Sequence, residues 1–133
     1  MGSHIEVSEI LAPHGQTQIR LQVHGLQPDR AYGAHVHVRP CGASGTDAGG
    51  HYQNTPDPRS PSVDPRYANP ANEVWLDLTT DAHGDATATS TVTWRFRPAG
   101  AGSVVLHAEH THTAPGQAGV AGARLACLTV PFR

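Results

Sequence analysis

The sequence predicts an all-β fold, a Greek-key β-sandwich or flattened barrel with two long loops. Three observations support this: a composition suited to short strands and turns, apolar residues recurring at every second position, and no amphipathic helical stretch. The chain carries 14 glycines and 11 prolines, with only 15% charged residues. Such a balance favours many short strands over a helical bundle or a disordered chain. Its 133 residues are enough for one domain to bury a core. Met1-Gly2-Ser3-His4 reads as a cloning scar, and residues 5–133 as a single domain.

From Ile5 onward the chain alternates in strand fashion. Ile19, Leu21 and Val23 fall on one face, Arg20, Gln22 and His24 on the other, and Gly25 ends the run. Residues 33–38 follow the Gln27-Pro28-Asp29-Arg30 turn, and the short gap predicts an antiparallel hairpin with the preceding strand. Cys41 opens an irregular stretch to about residue 71, rich in Gly, Pro, Ser, Asp and Asn. A loop this long in a compact domain is expected to be functional and tied down by a site. Order resumes over 73–80, where Val74, Leu76 and Leu78 alternate with Trp75, Asp77 and Thr79, and Asp81-Ala82-His83-Gly84 makes the turn. A strand over 87–97 follows, with Val92, Trp94 and Phe96 on its buried face. Residues 103–108 form an apolar strand carrying His107, residues 124–132 close the domain, and a second Gly- and Pro-containing loop spans 110–122.

A net charge of -2, with all nine cations arginine, gives no electrostatic basis for a nucleic-acid or anionic-lipid partner. No run approaches the roughly 18 apolar residues of a membrane-spanning segment. Cys41 and Cys127 are far apart and form no CxxC motif. They read as one long-range disulfide or as two buried thiols; the disulfide would place the protein outside the reducing cytosol.

Ten histidines outnumber the cations, and histidine is the commonest metal ligand. In His35-Val36-His37 the two imidazoles share one strand face about 7 Å apart, within reach of one ion, while Val36 points the other way. Taken alone, an HxH pair is more often two surface histidines on a wet strand face. Here it is joined by His51, in Gly49-Gly50-His51-Tyr52, and by His107 at the end of Val104-Val105-Leu106.

With these motifs in this order, and with Gly119-Val120-Ala121-Gly122-Ala123-Arg124-Leu125-Ala126-Cys127 at the end, the chain resembles the copper/zinc superoxide dismutase family, its bacterial exported branch in particular. The resemblance runs over roughly residues 16 to 131. It implies that His35, His37, His51 and His107 hold one copper per chain and that Cys41 and Cys127 form the intrasubunit disulfide. It makes Arg124 and His51 the catalytic residues, Arg124 attracting and orienting superoxide anion, the expected substrate. It also implies an exported protein, whether secreted, periplasmic or on the cell surface, free or lipid-anchored. Imidazole nitrogens suit both copper oxidation states, and arginine stays charged at any relevant pH.

The chain departs from the family in the loop after His51, which in relatives supplies two more histidines and an aspartate to zinc. Residues 52–82 contain no histidine, and His83 lies in an expected solvent-exposed turn, so the zinc site is expected to be absent. Something must then orient the outer nitrogen of His51. Glu73 is the candidate, in a Glu-Val pair similar to that of copper-only members, with Asp77 and Asp64 behind it. His110 and His112 form a second HxH; if the strand continued, they would share a face opposite His107, at the site's mouth or on a second, looser copper. The loop 110–122 carries no formal charge, and Glu109 alone borders it, so slower and less salt-dependent catalysis is expected.

The leading functional reading is copper-dependent superoxide dismutation. The alternative is a copper-binding or copper-buffering relative with little turnover, which the missing zinc ligands and surplus histidines favour. A purely structural relative would not need four histidines in these places. A zinc hydrolase would need a base or nucleophile beside them, and the motifs supply none.

Overall fold

Residues 3–133 are described in the computed structural model of the chain. Alternation over residues 17–24 produces the strand at the centre of the first sheet, in which β1 (His4–Leu11), β2 (Thr17–His24) and β5 (Ala86–Val92) run antiparallel in the order β1-β2-β5. The second sheet has the order β4-β3-β6-β7, from β3 (Ala31–His37), β4 (Leu78–Thr79), β6 (Ser103–His107) and β7 (Arg124–Thr129). Its pairings are antiparallel too. His4 pairs opposite His24 at the start of β1. Among the described residues the only helical elements are the 3-10 turns Pro13–Gly15 and Gly45–Ala48.

The sheets pack through Ile19, Leu21 and Val23 of β2, Ala34 and Val36 of β3, and Val104 and Leu106 of β6, with Tyr52, Val92, Phe96 and Phe132 completing the core. Strand alternation then sends Gly33, His35 and His37 of β3, and Val105 and His107 of β6, to the opposite face. The interior and the histidines therefore occupy opposite sides of the same two strands.

The expected hairpin between residues 17–24 and 33–38 does not form. β2 pairs with β1 and β5, β3 pairs with β4 and β6, and the connection crosses from one sheet to the other. Each strand has an apolar face to bury, and facing each other across the core buries both faces, which pairing edge to edge would not. The crossing linker lies against the 81–85 turn, through Leu26 N–H to the Gly84 carbonyl at 3.0 Å and Asp29 N–H to the Asp81 carbonyl at 3.1 Å. Gly84, at φ +79°, permits this approach, since a Cβ there would sit 2.8 Å from the Leu26 nitrogen.

Two other elements are shorter than their patterns suggest. Val92, Trp94 and Phe96 do face inward, but the ladder stops at Val92 because its partner begins at Thr17. In the 73–80 segment Val74, Leu76 and Leu78 are buried as expected. Only Leu78–Thr79 forms a strand there, and earlier residues touch β3 through single bonds such as Leu76 N–H to the Ala34 carbonyl at 2.8 Å.

The long loop after Cys41 is pinned at several points. A disulfide joins Cys41 to Cys127. Residues 50–52 lie beside the end of β3, with Tyr52 N–H donating to the Val36 carbonyl at 2.8 Å. Arg97 donates to the carbonyls of Gln53 and Asn54 and lies over the Tyr52 ring at 4.4 Å, fixing the chain just after His51.

Candidate metal centre

His35, His37, His51 and His107 converge, each offering a ring nitrogen such that all four nitrogens lie within 4.8 Å of one another. β3 supplies the first two, the loop the third and the last residue of β6 the fourth. His35 and His37 are fully buried, His107 is 4% exposed, and the His51 side chain is 16% exposed.

Each imidazole has one nitrogen committed to a neighbour. His37 Nδ1 donates to the Gly49 carbonyl at 2.9 Å, His107 Nδ1 to the Gly122 carbonyl at 3.2 Å, and His51 Nδ1 to Glu73 Oε1 at 2.8 Å. Carbonyl acceptors require the proton on Nδ1, so the Nε2 lone pairs face inward. The Nε2 atoms of His37 and His107 are consequently 3.3 Å apart, lone pair toward lone pair. His35 Nδ1 is buried without a hydrogen-bond partner. A cation relieves both features, so the donor set fits a metal ion held by His35 Nδ1 and the Nε2 atoms of the other three.

Desolvation, helped by the neighbouring imidazoles, pushes the pKa of His35 well down. It also lowers His37 to about 2 and His107 to about 4. These rings are thus neutral in the folded, metal-free protein at pH 7, the form a metal requires. The unfolded chain takes up protons at these positions below about pH 6.5 and the folded chain does not, so metal-free stability should fall as pH drops from about 6.5 toward 4. Each histidine contributes up to about 1.4 kcal/mol per pH unit. Urea denaturation of the metal-free protein between pH 7.5 and 4.5 measures this, and an unchanged midpoint would contradict the burial of neutral imidazoles.

Glu73, 1% exposed, sits behind His51 as the sequence expectation has it. Its Oε1 accepts from His51 and from Trp75 Nε1, and its Oε2 from Gln53 Nε2, each at 2.8 Å. Of the weaker candidates, Asp64 faces solvent-exposed Arg66 at 2.8 Å, and Asp77 bonds Thr111. His83 is in an exposed turn. His110 and His112 diverge instead of sharing a face. His110 Nε2 donates to the Leu78 carbonyl at 3.0 Å, and His112 bonds Glu109 at 2.9 Å. The strand ends at His107, and the chain folds back on residues 119–123, for example through Glu109 N–H to the Ala121 carbonyl at 2.9 Å.

Arg124 reaches the site through an irregularity in strand pairing. Ser103 to Leu106 pair with Thr129 to Ala126 in order, but His107 pairs with Arg124, so Leu125 is an extra residue in β7. Such a bulge re-aims the side chains beside it. Arg124 donates to the Gly45 carbonyl at 2.8 Å and, with His51, His107, Glu73 and Arg59, lines a cleft of about 530 Å³. Trp75, Gln53, Arg59 and the bulge were not singled out from the sequence. Trp75 carries a readable signal, since it shares strand parity with Glu73.

A two-sheet antiparallel sandwich with four histidines gathered on its outer face and an arginine beside them defines the superoxide dismutase class of metal-binding β-domain. The copper/zinc superoxide dismutase (SODC) family model matches residues 3–130, and the chain belongs to that family. Among solved structures it is similar to a doubly substituted form of a SOD-like protein from Bacillus subtilis, with a TM-score of 0.70 and 16% identity over 92% of this chain and 86% of that one. A singly substituted form of a SOD-like protein from the same organism aligns with a TM-score of 0.65 and 18% identity over 92% and 85% of the two chains. At these identities the likeness is one of fold. No curated protein matches the sequence.

Proposed function

We propose that this chain holds one copper ion through His35, His37, His51 and His107 and dismutates superoxide, two anions and two protons giving oxygen and hydrogen peroxide. The observation that carries the reading is the set of four inward lone pairs, each ring's other nitrogen tied to a fixed neighbour. Imidazole donors suit copper, which supplies one-electron exchange when bound. Glu73 keeps the Nδ1 proton of His51 and leaves Nε2 for the ion. Arg124 raises the local concentration of a small anion at the cleft, and Arg59 adds a second positive charge to its wall.

Occupation of His51 Nδ1 by Glu73, together with the lack of histidine over residues 52–82, supports a single-metal site without zinc. The Cys41–Cys127 bridge supports an exported protein, since disulfides persist outside the reducing cytosol. Among the described residues no helix is long and apolar enough to cross a membrane. A second reading, copper held without useful turnover, is favoured by the lack of histidine over residues 52–82 and by the surplus histidines elsewhere in the chain.

Copper titration and a superoxide assay on the same loaded sample test both readings. Arg124→Leu is expected to keep one copper per chain and slow superoxide removal by about tenfold or more. Equal rates in variant and wild type would remove the steering role and leave the copper-holding reading.

A further inference from the structure

We propose that the Gln53 side-chain amide is a clasp that holds the rim of the cleft, residues 57–62, onto Glu73, and so positions Arg59 as a second guiding cation for the substrate anion. This deepens the superoxide reading above and rests on it for the identity of the anion, but not for the clasp.

Gln53 is buried and uses every polar atom of its amide. Nε2 donates to Glu73 Oε2 at 2.8 Å and to Ser62 Oγ at 2.8 Å, and Oε1 accepts the Asp57 N–H at 2.9 Å. The Ser62 hydroxyl gives its single hydrogen to Asp57 Oδ2 at 2.8 Å, and Asp57 Oδ1 accepts the Arg59 N–H at 2.9 Å. A closed ring of bonds through Gln53, Asp57 and Ser62 thus runs from the partner of a histidine ligand to the backbone of Arg59.

Only one orientation of the amide satisfies this ring. With its hydrogen committed to Asp57, Ser62 Oγ has lone pairs alone to offer Gln53, and Glu73 Oε2 is an acceptor as well, so both face the NH2 group. A flipped amide, or a carboxylate in its place, would set oxygen against oxygen at Glu73 and Ser62 and leave the Asp57 N–H without its acceptor. The backbone at this point is fixed too, since Arg97 donates to the Gln53 carbonyl at 2.8 Å.

What the clasp holds is a cation with a free hand. Arg59 lines the cleft over the histidines and also a neighbouring cleft of about 500 Å³, so it stands exposed on their shared wall. The two carboxylates beside it are engaged elsewhere: Asp57 within the ring, and Asp64 with Arg66 at 2.8 Å. Arg124 reaches the same cleft from β7. Loop 110–122, by contrast, has no formal charge, so the segment after His51 supplies the second guiding charge.

The test combines hydrogen exchange of the metal-free protein with azide titration of the Cu(II)-loaded protein, on wild type, Gln53→Leu, Gln53→Glu, Arg59→Gln and the variant carrying both Gln53→Leu and Arg59→Gln. The Asp57 and Arg59 amide protons should be protected in wild type and should exchange about tenfold or more faster in both Gln53 variants, with the amides of β2 unchanged. Arg59→Gln and Gln53→Leu should each weaken azide binding about threefold or more at low salt and flatten its salt dependence. The double variant should match Arg59→Gln, because Gln53 acts through Arg59. Folded Gln53 variants with wild-type exchange at Asp57 and Arg59 overturn the clasp. Unchanged azide affinity and salt dependence in Arg59→Gln overturn the guiding role, and additive losses in the double variant overturn the coupling of the two. A wild type that ignores Cu(II), but whose protection at Asp57 and Arg59 is lost in Gln53→Leu, overturns the copper reading and upholds the clasp.

Discussion

His107→Ala is expected to abolish stoichiometric copper binding while leaving a folded protein. The substitution removes one of four inward nitrogens and leaves the remaining three on β3 and the loop, with no other donor among the described residues to close the set. Losing a direct ligand should exceed the roughly 10- to 100-fold drop that follows loss of an outer partner. The fold should tolerate it, because His107 lies on the face of β6 away from the core and its neighbour Leu106 carries the packing. The bond to Gly122 is the main loss, about 1 kcal/mol net. Metal analysis after dialysis of the copper-loaded protein measures the effect; one copper per chain in the folded variant would remove His107 from the site.

Breaking the Cys41–Cys127 bridge should have the largest effect on stability. It closes a loop of 86 residues, and freeing a loop of that size costs roughly 2 to 5 kcal/mol in small exported domains. The same bridge holds residues 42–49 against β7. Within that segment the Gly45 carbonyl accepts from Arg124 and the Gly49 carbonyl from His37. Reduction, or Cys41→Ser with Cys127→Ser, should therefore lower the melting temperature and also weaken copper binding and superoxide removal. A reduced protein that melts and binds copper like the oxidised one would show that β7 and the loop hold themselves in place.

Much of this could be read from the chain because strand alternation reports which face a side chain takes. Ile19, Leu21 and Val23, the two histidines of β3 around Val36, and the inward Val92, Trp94 and Phe96 all follow from parity alone. Glu73 could be read because His51 needed an acceptor once zinc ligands were missing. Pairing partners could not be, since parity fixes faces but not neighbours; β2 and β3 each present a sound apolar face, and only the shared interior separates them into two sheets. The Leu125 bulge is likewise silent in sequence, being a one-residue slip without glycine or proline to mark it.

Because one side of β3 and β6 does the packing and the other carries the imidazoles, drift in one can proceed without disturbing its counterpart. A change confined to the imidazole side of these two strands therefore leaves the apolar interior intact.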